Sequence, residues 1–249
     1  MIIIKSPEEI EKMAGACRVV AETLRAVGDI VQPGISTKDI EGYAERMVLA
    51  KGGGLAFKGY RGFPSAICTS INDQVVHGIP SSVVLREGDI ISIDLGVYMN
   101  GFYGDGAVTL PVGKISKEAE RLLQVTEDSL HLGIEEAIIG NRVSDISHAV
   151  QKYVEASGYS VVRALVGHGI GRSLHEEPQV PNYGSPGHGP RLREGMTFAI
   201  EPMVNAGSYE ITVLDDGWTA VTSDHSLSAH FEHTVAVTSS GTRILTKVE

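Results

Sequence analysis

Apolar residues recur at helical spacing in two stretches near the start of the chain. Ile10, Met13, Ala14, Cys17, Ala21, Leu24 and Val27 share one face of a 3.6-residue repeat, behind Ser6-Pro7-Glu8-Glu9. That tetrapeptide joins an N-cap, a proline at the first helical position and a capping-box glutamate, and predicts a helix ending near Gly28. Pro33-Gly34 marks a turn. Ser36 to Asp39 opens a second helix with Ile40, Tyr43, Ala44, Met47 and Val48 inward, and Gly52-Gly53-Gly54 stops it. From Phe57 to Thr109 the pattern changes to strands and turns. There, Ile90 to Thr109 places two β-branched and aromatic runs around Asn100-Gly101, a dipeptide suited to the two φ > 0 positions of a tight turn. A β-hairpin is predicted, with Gly96 opposite Asp105.

After Pro111 the pattern begins again. A helix is expected from about Ser116 to Ala137, a turn at Gly140-Asn141, a helix from Ser144 to Gly158, and strands over most of the rest. Landmarks recur as well. Leu85-Arg86-Glu87-Gly88 returns as Leu192-Arg193-Glu194-Gly195 at an offset of 107, and Asp39-Ile40, Gly34 and Gly52 return as Asp145-Ile146, Gly140 and Gly158 at 106. Each L-R-E-G is followed six positions after its glycine by an acid within an apolar strand, Asp94 and Glu201. The chain therefore reads as one domain, 1–249, of α+β class. Its halves, about 1–112 and 113–249, are each helix-helix-strands and share one sheet.

Bulk numbers narrow the function. At 249 residues, with 42% apolar and 21% charged, the chain is an ordinary globular protein able to bury a sizeable core. A net charge of -10 argues against a nucleic-acid binder that relies on an overall positive field. Met1 to Lys5 is too short for a signal peptide, and no apolar run of about 18 residues could span a membrane. Cys17 and Cys68 form no C-x-x-C pair and no zinc-ligand spacing. A reducing cytoplasm is the expected location, with no DNA or membrane partner and a monomeric state.

The acids carry the chemistry. In the predicted hairpin Asp94 and Asp105 point to the same face as diagonal neighbours, roughly 7–8 Å apart or somewhat less at Cβ. Glu201 in Met196–Val204 and Glu232 in Ala229–Val237 repeat the situation of a carboxylate inside an apolar strand. Acids are rarely buried unpaired. Arg86 and Arg193 lie in turns and are expected to be solvated. A cationic centre between the halves would satisfy all four acids, and two divalent ions balance four carboxylates better than one; an acid cluster sharing protons is the other solution. Of nine histidines, His131, His148 and His188 are expected at the surface, and His233 on the face opposite Glu232. His77, His168 and His175 stand at loop junctions, the first two beside glycines, where a ring can face a ligand.

Asp94, Asp105, His168, Glu201 and Glu232, with V-V-H-G-I-P, G-H-G-I-G-R, H-E-E-P, I-E-P-M and F-E-H-T in order along the whole chain, resemble the type I methionine aminopeptidases of the short bacterial type. The resemblance implies the pita-bread fold with pseudo-two-fold symmetry and a curved antiparallel sheet. It also implies co-translational removal of N-terminal methionine before a small second residue. Two divalent ions (Co, Mn, Fe, Zn or Ni) would be held by Asp94 on one side and by His168 and Glu201 on the other, with Asp105 and Glu232 bridging. Glu201 would shuttle a proton, His175 would donate to the carbonyl oxygen, and His77 would stand near the scissile nitrogen. The methionine pocket maps onto Tyr60, Phe63, Cys68, Leu174 and Trp218, and a monovalent cation onto Asn72 and Ser228.

Two residues depart from that family. Leu174 stands where relatives usually carry phenylalanine, which puts pocket shape in question. His230 stands where glutamine is common, which puts the shell behind Glu232 in question. Other readings are a prolidase-like peptidase of the same fold, a non-catalytic relative, and an unrelated dinuclear hydrolase. Against them stand a catalytic fold beginning at Ser6, all five ligands in place, and no phosphate-cradling Gly-rich loop. Lys51, Lys58 and Arg61, in an acid-free stretch near Tyr60 and Phe63, could contact the ribosome or form an ordinary solvated face; the second is the preferred reading.

Overall fold

Both predicted caps of the first half form. In the structure, a computed structural model that describes residues 1–247, the Ser6 hydroxyl accepts from the Glu9 amide and the Glu9 carboxylate from the Ser6 amide, at the start of α1 (Pro7–Gly28). Ser36 and Asp39 repeat this exchange at α2 (Thr37–Ala50). Then follow β1 (Gly54–Leu55), β2 (Cys68–Ile71), β3 (Gln74–Val76) and the hairpin of β4 (Ile90–Met99) and β5 (Phe102–Pro111). The second half opens with α3 (Lys117–Glu135) and α4 (Val143–Ala156). The latter starts one residue before the predicted Ser144. The Asp145 carboxylate reaches back to the Arg142 amide, while the Ser144 hydroxyl is occupied with His188 of a neighbouring loop. The remaining strands are β6 (Ser160–Val161), β7 (Gly167–Gly169), β8 (Glu176–Val180), β9 (Thr197–Ile200), β10 (Met203–Asn205), β11 (Ile211–Val213), β12 (Ala220–Thr222), β13 (Ser228–His230), β14 (Glu232–Thr238) and β15 (Gly241–Ile244).

One antiparallel sheet runs through both halves in the order β1-β4-β5-β14-β9-β7-β8, with β2 on β4 and β15 on β14. The halves meet where β5 pairs with β14, Ala107 opposite Glu232. Asn100 and Gly101 turn the hairpin at φ +55 and +85, and Gly96 lies opposite Asp105. Strand alternation then sorts the faces. Ile91, Ile93, Leu95 and Val97 of β4 pack on α1 and α2, and Phe198, Ile200, Val235 and Val237 on the second helical layer. Asp94, Asp105, His168, Glu201 and Glu232 are left on the opposite face, where the strands curl around a cavity. Gly104 lets α1 lie close behind β5: a Cβ there would stand 2.7 Å from the Cys17 amide nitrogen.

Candidate metal centre and active site

Five elements deliver the cluster. β4 supplies Asp94, β5 Asp105, β7 His168, the end of β9 Glu201 and β14 Glu232. All five line a cavity of about 300 Å³. Atoms of Asp105, His168 and Glu232 lie within 4.8 Å of one another, and His168 Nε2 is 3.5 Å from Glu201 Oε1 and 3.9 Å from Asp105 Oδ2. The His168 Nδ1 is 2.8 Å from the Gly169 carbonyl, which fixes the proton on that nitrogen and leaves the Nε2 lone pair toward the acids. The glycines beside His168 admit the neighbouring strands. A Cβ on Gly167 would meet the Ala199 carbonyl oxygen at 2.5 Å, and one on Gly169 that of Glu177 at 2.3 Å.

Electrostatics make the cluster costly without a cation. Burial raises the carboxyl pKa values of Asp94, Glu201 and Glu232, with repulsion from neighbouring acids adding to it, and burial takes Asp105 to about 7. Burial also lowers His168 to about 4, so its ring is neutral and a ready ligand. Asp94 Oδ1 and Glu232 Oε1 are buried with no hydrogen-bond partner. Orphaned carboxylate oxygens beside a neutral imidazole lone pair fit a divalent metal.

The wall of the same cavity is apolar. Tyr60, Phe63, Cys68, Leu174 and Trp218 all line it and belong to one packed cluster, with Phe63 and Trp218 edge to face at 5.2 Å. His77 lines it at φ +60, and burial lowers its pKa. His175 stacks on Tyr60 with its Nδ1 3.0 Å from the phenol oxygen, and its ring centroid is 4.1 Å from that of His168. Partial burial, then the nearby His168, Arg61 and His77, lower its pKa. Sequence reasoning did not place Phe57, Val76, Leu165 and Met203 in this wall, nor Arg61, which lines it at φ +50 between two glycines. Val76 and Met203 lie inside the V-V-H-G-I-P and I-E-P-M motifs, which was their only signal; Phe57, Arg61 and Leu165 lie outside the motifs.

Other expectations meet the structure differently. His230 does not back Glu232. Its ring is buried with both nitrogens lacking a hydrogen-bond partner and Nε2 4.0 Å from Glu201 Oε2, while its backbone is held by the Thr109 hydroxyl. His148 is half-buried against the Gly184 carbonyl, whereas His131 and His188 are exposed. His233 lies on the far face, bonded to Thr246, and Arg86 and Arg193 are exposed. Asn72 accepts from Ser228 through its backbone, and both side chains have protein partners, Asp89 and Ile90 for Asn72 and Asn205 for Ser228. Lys51 and Lys58 pair with Glu22 and Glu45, acids outside the acid-free stretch.

A curled sheet closing over buried acids and a neutral histidine defines a metallopeptidase. The sequence model of metallopeptidase family M24 matches residues 11–239, and the chain belongs to that family. Within it, the chain groups with the type I methionine aminopeptidases of bacterial length. It is 53% identical over 249 residues to the methionine aminopeptidase of Clostridium perfringens, covering 100% of both chains. The crystal structure of methionine aminopeptidase from Thermotoga maritima superposes with a TM-score of 0.98 at 48% identity, again over 100% of both. The prolidase from Pyrococcus furiosus shares the pita-bread fold alone, at a TM-score of 0.81 and 23% identity over 99% of this chain and 66% of that one.

Proposed function

We propose that this protein removes the N-terminal methionine from peptides and nascent proteins whose second residue is small, acting in the cytoplasm. The observation that carries the reading is one cavity with two walls: orphaned carboxylates and His168 on one side, and the apolar group of Tyr60, Phe63, Cys68, Leu174 and Trp218 on the other. Such a cavity holds an unbranched apolar side chain beside a hydrolytic centre. Asp94, Asp105, His168, Glu201 and Glu232 would hold two divalent ions. Those ions, when bound, supply Lewis acidity and an activated water nucleophile.

The chain's own groups do the rest. The apolar wall takes the methionine side chain and sets the scissile carbonyl against the acids. Glu201, at the edge of the cluster, accepts a proton on its carboxylate and returns it to the leaving amine. Tyr60 donates to His175 Nδ1, so Nε2 carries the proton and donates to the carbonyl oxygen as charge develops there. His77, neutral through burial, lies on the leaving-nitrogen side. Metal-loaded protein should release methionine from Met-Ala-Ser and spare the N-acetylated peptide. Release from both peptides, or from neither, would overturn the aminopeptidase reading.

A further inference from the structure

The segment before α1 is tied into the turn that carries His175. Lys5 sits in a groove cut by two glycines: a Cβ on Gly171 would stand 2.3 Å from Lys5 Cε, and one on Gly195 would stand 2.5 Å from the Lys5 carbonyl oxygen. The Lys5 amide donates to the Gly195 carbonyl at 2.8 Å, and its ammonium donates to the Ile3 carbonyl and to Glu176 Oε2, 171 positions away in sequence. The two side chains are 2% and 3% exposed. The other oxygen, Glu176 Oε1, accepts from the amides of Arg172 at 2.7 Å and Ser173 at 3.2 Å. One carboxylate therefore gathers the turn from Gly171 to Glu176. The Gly171 carbonyl accepts from Tyr103 on β5, the strand of Asp105.

We propose that Lys5 is a positioning residue for His175, acting through Glu176. The inference rests on the donor role given to His175 above. A buried carboxylate is tolerable only while a cation and several donors hold it. With Lys5 present, the Glu176 carboxylate is held in the interior by its ion pair and accepts from the two amides. Without it, the carboxylate turns toward water and releases them. His175 immediately precedes Glu176 in the chain, and among the described residues its ring is held by the Tyr60 phenol and by its contact with the His168 ring. Its neighbour Leu174 is held separately, 2% exposed in the apolar cluster. Loss of the ion pair should therefore misplace the imidazole more than the methionine pocket.

The experiment is a double-mutant cycle on metal-loaded protein, with metal content measured for every variant. Lys5→Met should lower kcat about 10-fold, as expected for a donor displaced by a fraction of an ångström, with KM within about twofold and both metals retained. Lys5→Met/Glu176→Gln buries no unpaired charge and keeps a weaker, neutral acceptor for the two amides, so its loss should be only about threefold. Should the single variant not fold, this pair takes its place. In a His175→Ala background either change should leave kcat where His175→Ala alone puts it. Losses that add in full to that of His175→Ala, or a Lys5→Met enzyme with normal kcat, would overturn the role of Lys5. A His175→Ala enzyme with full kcat would overturn the donor role itself and the inference with it.

Discussion

At the scale of single residues, the acids of this site differ in the number of partners they have. Glu232 Oε1 and Asp94 Oδ1 have none, while Asp105 accepts from the Gly106 amide. A neutral amide bridges two cations poorly. Asp105→Asn and Glu232→Gln should each nearly abolish release of methionine while the protein stays folded. Near-normal turnover with metal content confirmed would remove the dinuclear assignment. Leu174 offers a finer test. It is buried in the pocket wall but has no ring to set against a thioether, a contact worth roughly 0.3–1.5 kcal/mol. Leu174→Phe should raise the kcat/KM ratio of a Met-peptide over a norleucine-peptide by about 2- to 10-fold. An unchanged ratio, with metals intact, would assign the sulfur contact to Trp218 or Tyr60.

At the scale of elements, the hairpin was legible because Asn100-Gly101 leaves one economical register. Alternation then put Asp94 and Asp105 on one face without any knowledge of the rest. The starts of α1 and α2 were legible for the same local reason, since a serine and an acid three residues on report a cap. At α3 only Ser116 marks the start, its hydroxyl accepting from the Ala119 amide. α4 shows the limit: its Ser144 is taken by His188, a loop residue no local rule connects to it. The pocket wall was half legible, through motifs, whereas Phe57 and Leu165 lie outside every motif and belong to it only because the fold brings distant segments together. The buried Lys5–Glu176 pair was not legible at all, being a contact between distant segments. The approach of α1 to β5 is of that kind too. Gly104→Ala would press a Cβ onto the backbone of Cys17, at 2.7 to 2.9 Å, where nothing flexible can yield. The cost should be roughly 1–3 kcal/mol, seen as a Tm lowered by about 2–12 °C. A Tm within about 1 °C of wild type would show that α1 slides away freely.

At the scale of the whole molecule, the metal-free protein carries its site as a pH-dependent liability. Asp94, Glu201 and Glu232 have carboxyl pKa values raised in the fold, and Asp105 titrates at about 7 against an ordinary 3.8. Above the ordinary imidazole value of 6.5, where His77, His168, His175, His230 and His233, all lowered by burial, are uncharged in the folded and unfolded chain alike, the folded state binds more protons than the unfolded chain. Linkage then requires stability to fall as pH rises from there past Asp105's value; at more acid pH the buried neutral histidines act in the opposite sense. Under the proposed function, divalent cations would reverse the situation, because they would bind the ionised carboxylates and a neutral His168 and release protons on binding. Metal should therefore stabilise the protein more at about pH 8 than at about pH 6. Melting the chelated and the metal-loaded protein at both values checks this. The chelated Tm should drop between the lower and the higher pH while the loaded Tm changes less, so the gap between them widens. A gap that is constant, or wider at the acidic value, would mean that the acids keep their ordinary pKa values in the fold, and burial would not be what holds them ready for a cation.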